Sequence, residues 1–513
     1  MEPYCADAAA DVFAAAIRTF NCLLGQLAGP QTASFTHDRL EEVIEQQGRE
    51  LLRLLLQAHL DLRALREQDA VAEARIGGAG IGGVAAVVGS DGLPRRRVEM
   101  RHHRLLATVF GTVTVTRCAW RAPGLPNVYP ADSALSLPVG RHSHGLARLA
   151  VAEAVRGSFD AAHAAITARC GNVLGKRQLQ RLVQAAAVDI DAFYRQRIPV
   201  PRTRDELLVL SCDAKGVVMR PEALRPGTAK AAARATRTFR TRLAAGQKSC
   251  RKRMATLGAL YDAQPAPRRP HDVIALPGGR AGERRPQPGP HASGKWLCGS
   301  VINDPDEVIA ALFDQAEARD PRHARAWIVL IDGARHQRDL IRAEAIRRSA
   351  AITIVIDFIH VIEKLWASAW CLHRPADPAA EDWVATHALA LLAGHTRQVI
   401  TDLDTQAAHL PTDRRDGIDT CIRYLTDHAE FLRYDQALAA GWPIATGVIE
   451  GACRHLIADR LDITGARWGL AGAEAILKLR ALITNNDLPE YWRHHLGQEH
   501  QRVHGQHDYQ LIA

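Results

Sequence analysis

Three carboxylates stand at positions where they could perform metal-dependent chemistry. Asp213 follows the apolar run 207–212, Asp332 ends the apolar run 327–332, and Glu450 lies where Thr446 can cap the start of a helix. Three acids at one point cannot all stay ionised without a cation. Mg²⁺ suits them because it accepts few carboxylates and keeps waters for substrate oxygens. Two such ions, about 3.5–4 Å apart, would favour phosphodiester cleavage.

Each of these acids also has a structural interpretation. Asp213 and Asp332 could cap strand ends or form turns, which is common for an aspartate before glycine. Glu450 could pair with Arg454 on the next helical turn, worth a few tenths of a kcal/mol. Taken singly, each acid fits a structural role better than a catalytic one, and only a fold can bring the three together.

The segments around the acids predict such a fold. Strands are predicted at 254–263, 295–302, 327–332 and 351–357, and helices at 304–320 and 334–349. Hairpin strands followed by strand–helix–strand units form a mixed sheet with helices packed on it. The predicted fold class is therefore α/β, with carboxylates on neighbouring strands meeting at one edge and a helix carrying Glu450.

The N-terminal part predicts a different architecture. An apolar stripe within 36–65 predicts a long amphipathic helix, either a dimer seam or a face packed on its own chain. The Gly-rich stretch 77–92 contains Gly78, Gly80 and Gly83 in the spacing of a dinucleotide fingerprint. Because it follows a helix instead of a strand, we interpret it as a linker. Residues 98–121 alternate around Gly111 and predict a β-hairpin.

A helix, a tight turn and a second helix follow this hairpin. Ser158 is positioned to cap the first helix and Gly171 to end it. The second helix exposes a polar face that could read base edges in a major groove, and this pattern is typical of a helix-turn-helix. An ordinary helical hairpin fits the periodicity equally well. The exposed side chains are predicted to be Lys176, Arg177, Gln178, Gln180, Arg181 and Gln184.

The charge distribution favours a polyanionic partner. The chain has 513 residues and a net charge of +9, and the segment 220–295 alone holds 17 basic and 4 acidic residues. Such a segment suits the phosphates of DNA, or it is a solvated basic loop.

The ten cysteines form no CxxC pair, and no leader or long apolar run is evident. We expect a reducing, cytoplasmic, membrane-free setting. The 5% of aromatic residues argues against sugar or single-strand binding by stacking.

Several blocks together resemble the DDE transposases of bacterial insertion sequences, specifically the ISKra-type family. They are SCDAKG, LIDGA, DFIH and GVIEGACRHLIADRLDITGARWG, with TVFGTVTVTRCAWRAPG and YPADSALSLPVGRHSHGL upstream. The similarity extends from about residue 36 to about residue 492. It implies a ribonuclease H-like catalytic core whose triad, Asp213, Asp332 and Glu450, holds two Mg²⁺ ions, with Mn²⁺ as a possible substitute.

The resemblance also implies accessory parts. Related Mutator-like transposases carry a D/C-x-x-H element, which Asp357 and His360 match. His360 would orient a carboxylate or touch DNA, or else be a buried structural histidine. Residues 361–440 correspond to an all-helical insertion. The C-terminal histidines have no acidic or thiol partners in spacing and predict a solvated tail; they are His494, His495, His500, His504 and His507.

The predicted function is recognition of the element's terminal inverted repeats, followed by phosphodiester cleavage and transfer of the 3′-OH to target DNA. Double-stranded DNA is the expected partner, and synapsis of two ends predicts at least a homodimer near the bacterial nucleoid. Alternatives are a non-catalytic DNA-binding regulator, a nuclease without strand transfer and, more remotely, a two-carboxylate glycosidase. The residues expected to bind end sequences or phosphates are Lys176, Arg177, Gln178, Arg181, Arg251, Lys252 and Arg253.

These interpretations divide the chain into seven regions. They are an N-terminal helical region and linker at 1–92, a small β region at 93–140, the helix-turn-helix at 141–200, the first part of the catalytic core at 201–360, the helical insertion at 361–442, the last part of the core at 443–485 and a tail at 486–513.

Overall fold

A computed structural model describes residues 6–77, 86–199, 203–234, 250–275, 286–505 and 511–512. The chain divides into two compact units. Unit 1 comprises Met1–Phe193 with Leu488–Ala513, and unit 2 comprises Tyr194–Asp487. The first boundary lies close to the predicted one after residue 200. Within the described ranges, no helix combines the length and apolarity needed to cross a bilayer.

The elements up to the start of unit 2 are mainly helices with one long hairpin. In chain order they are α1 (Ala6–Ala28), α2 (His37–Gly77), β1 (Ala86–Val88), β2 (Pro94–Arg95), β3 (Arg97–Thr108), β4 (Gly111–Arg121), α3 (Pro130–Ala134), α4 (His144–Arg156), α5 (Phe159–Cys170), α6 (Lys176–Ala185) and α7 (Ile190–Gln196).

The remaining elements alternate strands and helices before an all-helical stretch. They are β5 (Leu207–Val218), α8 (Pro226–Arg234), β6 (Lys252–Ala263), α9 (Pro270–Val273), β7 (Ala292–Ser300), α10 (Pro305–Arg319), β8 (Trp327–Ile331), α11 (Arg335–Arg347), β9 (Ile352–Ile356), α12 (Phe358–Leu372), α13 (Pro378–Leu392), α14 (Thr396–Ala408), α15 (Asp416–Asp427), α16 (Tyr434–Ala439), α17 (Gly447–Ala452), a π-helical turn (Cys453–Ala458), α18 (Leu470–Thr484), α19 (Leu488–His504) and β10 (Leu511–Ile512).

Unit 2 is built on a five-stranded mixed sheet in the order β7, β6, β5, β8, β9. β5, β6 and β7 pair antiparallel, whereas β8 and β9 run parallel to β5. Every residue of β8 is buried, as expected for a parallel strand covered on both faces. The α/β prediction and the mixed sheet are confirmed, with the predicted strands and helices present at nearly the predicted bounds.

The apolar faces of the crossover helices explain how they cover the sheet. α10 packs on β6 and carries the buried side chains of Val308, Ile309, Leu312 and Phe313. Pro305 occupies its first turn, where a missing N–H costs nothing, and Glu307 accepts a hydrogen bond from the Asp304 amide. α12 to α16 form the predicted helical insertion, which begins at Phe358, three residues before the predicted start.

In unit 1 the predicted hairpin is present as β3 and β4. Val113 and Val115 are each 1% exposed and face α2, which packs along β4 and contributes Leu60 to the same apolar cluster. The alternation in the sequence therefore identified the buried face. Of the Gly-rich stretch, residues 78–85 lie outside the described residues, and residues 86–88 form the short strand β1.

The predicted helix pair of the helix-turn-helix is also present. The Ser158 hydroxyl accepts a hydrogen bond from the Ala161 amide, and Gly171 ends α5 with φ +77°, a conformation that favours glycine. α6 follows and buries Leu179 and Val183 against α4 and α5. These features fit both a helix-turn-helix and an ordinary helical hairpin.

The predicted solvated tail is wrong for residues 488–504. They form α19, which belongs to unit 1 and buries His495 and His504. The His495 ring and the Arg502 guanidinium both contact the buried Asp189 carboxylate, His495 at 2.6 Å and Arg502 at 2.7 Å. The buried histidines are nine residues apart and lie on opposite sides of α19, so this helix is packed on more than one face. His507 lies outside the described residues.

Candidate active site

The register of the parallel strands sets Asp213 beside Asp332. The last ladder pair between β5 and β8 joins Ser211 to Leu330; Asp213 lies two residues further along β5, and Asp332 is the first residue after β8. Because side chains alternate with a period of two, the two aspartates share a face of the sheet. Neighbouring strands are about 4.8 Å apart. Asp357 occupies the matching position after β9, since Ile331 pairs with Ile356.

Asp213 lies inside β5 instead of at the end of a strand. The strand continues to Val218 because β6 pairs with it along its full length, up to Lys252. The half-buried Asp213 carboxylate accepts a hydrogen bond through Oδ2 from the Cys453 thiol, at 2.9 Å. Burial, and then the adjacent Asp213, raise the pKa of the Cys453 thiol well above its usual value, so it keeps its proton and donates.

Glu450 is carried toward Asp213 by α17 and the π-helical turn that begins at Cys453. α17 packs on β5 and β6, and Glu450 precedes Cys453 by one helical turn on the same face. Its side chain is 54% exposed. Burial, and then the negative charge of Asp213, raise the pKa of Glu450. The negative charge of Asp213 therefore opposes the ionisation of Glu450. The structural alternative for Glu450, a pair with Arg454, is not present among the described residues.

His360 connects Glu450 to the beginning of α12. Its Nδ1 lies 3.0 Å from Glu363 Oε2, and its Nε2 lies 3.9 Å from Glu450 Oε1. Burial lowers the pKa of His360, but the hydrogen bond to Glu363 and the charges of Asp357, Glu363 and Asp332 outweigh it and raise the pKa. The ring is 32% exposed and therefore only partly buried. Its contact with Glu450 fits the predicted role of orienting a carboxylate.

Asp357 serves the fold with both carboxylate oxygens. It is 1% exposed, and its Oδ1 accepts the Ile359 amide at 2.9 Å and caps α12. The Thr446 hydroxyl donates to Oδ2. The prediction that Thr446 caps its own helix is therefore wrong, because its side chain is drawn to a deeper carboxylate. Asp357 positions the start of α12, and with it His360.

Asp332 forms the turn that its sequence context suggested. Its Oδ1 accepts the Ala334 amide at 2.9 Å, so one oxygen has the structural role of a turn former. The Tyr424 hydroxyl donates to the Asp332 carbonyl, and His428 Nε2 lies 2.8 Å from the Gly333 carbonyl oxygen. α15 of the insertion therefore holds the turn that presents Asp332.

Sequence reasoning missed Tyr424, His428 and Cys453. Tyr424 lies on α15 and His428 is the C-cap residue of that helix, four residues later; many polar pairs have this spacing. Cys453 lies one turn after Glu450 in the block GVIEGACRH, and this proximity was the only signal available.

The expected metal triad is not assembled as a ligand shell in this structure. Across the described ranges, no group of three or more Asp, Glu, His or Cys side chains is arranged to hold a metal ion. The donor chemistry nevertheless fits a hard cation, since Asp213, Asp332 and Glu450 all offer carboxylate oxygens. The opposition between Asp213 and Glu450 is the electrostatic condition that a divalent cation relieves.

The predicted DNA-contacting face of α6 is partly engaged already. Lys176 forms an ion pair with Asp160, and Gln178 Oε1 accepts the Gly175 amide at 2.6 Å, which caps the helix. Arg177 and Arg181 are exposed. The prediction that α6 presents a polar face is confirmed for the side chains at its N-terminal end, whereas Gln180 and Gln184 are only partly exposed.

The three basic residues expected to contact phosphates differ in availability. Arg251 is exposed, and Lys252 pairs with Asp462 at 2.9 Å while remaining 44% exposed. Arg253 donates to the Val301 carbonyl at 2.6 Å, and burial lowers the pKa of its guanidinium. Arg253 therefore has a structural role at the end of the sheet. Much of the basic segment, at 235–249 and 276–285, lies outside the described residues.

Comparisons with known proteins give no assignment. No family model matches the chain, and a search of curated proteins found no significantly similar sequence.

Proposed function

We propose that this chain is a DNA transposase of the DDE type with a ribonuclease H-like catalytic core. One observation carries the proposal: Asp213 and Asp332 each lie two residues beyond the ladder pair of Ser211 with Leu330, and the charge of Asp213 raises the pKa of Glu450. The mixed sheet and the helical insertion support the core that the sequence resemblance implies. Three acids drawn from remote parts of the chain to one side of a sheet favour a catalytic interpretation.

Asp213, Asp332 and Glu450 would hold Mg²⁺, which supplies charge for an attacking oxygen and for the leaving oxygen. Glu450 is half exposed and has three rotatable bonds, so its carboxylate can turn toward Asp213 without a backbone change. Cys453 fixes the orientation of Asp213 through its thiol hydrogen. Tyr424 and His428 fix the turn at Asp332, and the His360 ring lies 3.9 Å from Glu450, where its protonated form would offset the charge of that carboxylate.

The reaction we propose has two displacement steps at phosphorus. In the first, water attacks the phosphodiester at the element's end, and the bond to the 3′ oxygen breaks to leave a free 3′-OH. In the second, that hydroxyl attacks a phosphodiester of the target, and the target's own 3′ oxygen leaves. The same carboxylates serve both steps because each replaces one P–O bond by another.

End recognition would fall to α6 and to the arginines that remain available. Arg177 and Arg181 lie on its exposed face and can reach base edges, whereas Arg251 can contact backbone phosphates without sequence preference. Replacing Arg181 should therefore alter preference among end sequences. Replacing Lys252 should weaken binding to all sequences alike. If both changes act equally on matched and scrambled ends, α6 is not the recognition helix.

The test uses the full chain with double-stranded oligonucleotides that carry its own element's ends. We expect Mg²⁺-dependent cuts at the element boundary and, with added target DNA, joined products. Asp332→Ala should bind the ends normally but neither cut nor join. Asp339→Asn, a change at an exposed carboxylate on α11, is the matched control and should retain activity. Cutting by Asp332→Ala at the native rate would disprove the assignment.

The non-catalytic DNA-binding regulator is a second candidate, because Asp332 also forms a turn with the Ala334 amide and Asp213 also accepts the Cys453 thiol, so both aspartates have structural partners. A regulator would bind the ends with equal affinity after Asp213→Ala and would never cut them. The third outcome, cutting without joined products, identifies a metal-dependent nuclease. The same assay therefore separates the three functions.

A further inference from the structure

An apolar stripe on α2 is left largely uncovered by the residues that the structure describes. Ile44, Leu52 and Leu55 are 47%, 46% and 39% exposed, and Gly48 lies between them on the same side of the helix. Their spacings of three and four residues keep them in one line along the helix. Exposed apolar side chains in such a line are typical of a helix that packs against another helix.

Gly48 is difficult to explain within the chain itself. Glycine destabilises a helix interior relative to alanine, and α2 runs from His37 to Gly77 without a break. A Cβ built at Gly48 would meet nothing within 4 Å, so no described neighbour requires its absence. A residue without a side chain at the middle of an exposed apolar stripe permits close approach by a second helix.

The first helix adds apolar surface at the same level. Gln47 of α2 donates a hydrogen bond to Gln26 of α1, which aligns these antiparallel helices. Since the helices are antiparallel and Gln26 lies beside Gln47, residues before Gln26 lie beside residues after Gln47. The exposed Ile17, Phe20 and Leu24 of α1 are therefore beside the stretch of α2 that carries the stripe. Their exposed fractions are 50%, 47% and 49%.

The charges flanking the stripe are self-complementary in one orientation. Residues 37–47 hold four acids and one arginine, whereas the equally long stretch 49–59 holds two arginines, one histidine and one acid. Gly48 therefore divides an acidic stretch of α2 from a weakly basic one. In an antiparallel pair of α2 helices that cross at Gly48, each acidic stretch lies against the partner's weakly basic stretch. A parallel pair would place like charges together.

We infer that a second copy of this chain docks on this stripe, with the two α2 helices crossing antiparallel about a two-fold axis near Gly48. Such an interface uses the same patch on both copies, as a closed dimer requires. Ile44 of one copy would meet Leu52 of the other. The inference does not depend on the proposed catalytic function, because it concerns only unit 1 and its assembly.

The first test measures mass in solution by light scattering across a dilution series. The native chain should be a dimer, and Ile44→Glu combined with Leu52→Glu should weaken dimerisation at least about tenfold, since a buried charge at the interface centre is unpaired. Ile346→Glu, at a residue of α11 that is 79% exposed, is the matched control and should not change the mass. Circular dichroism should show the native helix content in all variants.

The second test fixes the orientation by oxidative cross-linking. Gly48→Cys chains should cross-link to each other. Chains with Ile44→Cys should cross-link to differently tagged chains with Leu52→Cys, but two Ile44→Cys chains should not cross-link to each other. Both yields are compared with the background from native cysteines such as the exposed Cys22. A monomeric native chain, or a dimer insensitive to the double glutamate substitution, would overturn the inference. Self-cross-linking at position 44 would overturn the antiparallel arrangement.

Discussion

The hydroxyl of Tyr424 donates a hydrogen bond to the backbone carbonyl of Asp332, with 2.8 Å between the two oxygens. Tyr424 lies on α15 of the helical insertion, whereas Asp332 follows a central strand of the sheet. The insertion therefore contacts the turn after β8 directly, besides connecting the sheet to Glu450. It determines the backbone turn that presents one of the three candidate catalytic carboxylates, and this dependence can be tested by substitution.

Gly333→Ala should destabilise unit 2 by about 2–3 kcal/mol, because Gly333 has φ +95° and an added Cβ would lie 2.8 Å from His428 Nε2. Urea unfolding followed by circular dichroism measures this loss. Gly227→Ala, where a Cβ meets nothing within 4 Å, is the control and should be neutral. Equal unfolding midpoints for the two variants would show that the turn is not constrained as described.

Tyr424→Phe removes one hydroxyl and leaves the ring packing intact. The free energy of unfolding should fall by about 1 kcal/mol, the usual contribution of such a hydrogen bond. If the bond positions Asp332, end cleavage should slow by about tenfold while end binding, measured by gel shift, stays unchanged. Weaker end binding with an unchanged cleavage rate would instead indicate that Tyr424 contacts DNA.

The sequence predicted the sheet because its strands are unambiguous. Continuous apolar runs of five to six residues, each followed by an aspartate, are typical of buried strands in an α/β sheet. The sequence predicted that carboxylates on neighbouring strands meet at one edge, but the register that pairs Ser211 with Leu330 comes from the structure. The strand ends were less certain: Asp213 lies within β5 because β6 extends the ladder to Val218.

The support around the acids could not be predicted, since it comes from residues that are distant in sequence. Cys453 lies 240 residues after Asp213 in the chain, and Tyr424 lies 92 residues after Asp332. A thiol or phenol has no pattern that reveals such a partner. The same limit explains why the prediction of a solvated C-terminal tail was wrong. The buried His495 contacts Asp189, which lies 306 residues earlier in the chain.

Cys453→Ala should slow cleavage, whereas Cys453→Ser should retain most of it. Serine keeps a hydrogen-bond donor for Asp213 Oδ2, and alanine leaves that half-buried oxygen without one. The measurement is the single-turnover rate of end cleavage, with end affinity as the internal control. Equal rates for the two variants would show that packing at position 453, and not the hydrogen bond, matters for the site.

Glu450→Gln should raise stability at neutral pH while abolishing cleavage. Burial and Asp213 raise the pKa of Glu450, so its ionisation opposes folding; this cost is absent below about pH 4.5 and appears as the pH rises through the folded-state pKa. Glutamine removes the cost, at most about 0.5 kcal/mol because the side chain is half exposed. At pH 7 the variant should therefore have its unfolding midpoint at a higher urea concentration than the native chain, and at pH 4 the two midpoints should be equal.

Mg²⁺ should stabilise the native chain more than the Glu450→Gln variant. Equal stabilisation by Mg²⁺ would show that Glu450 does not hold the cation.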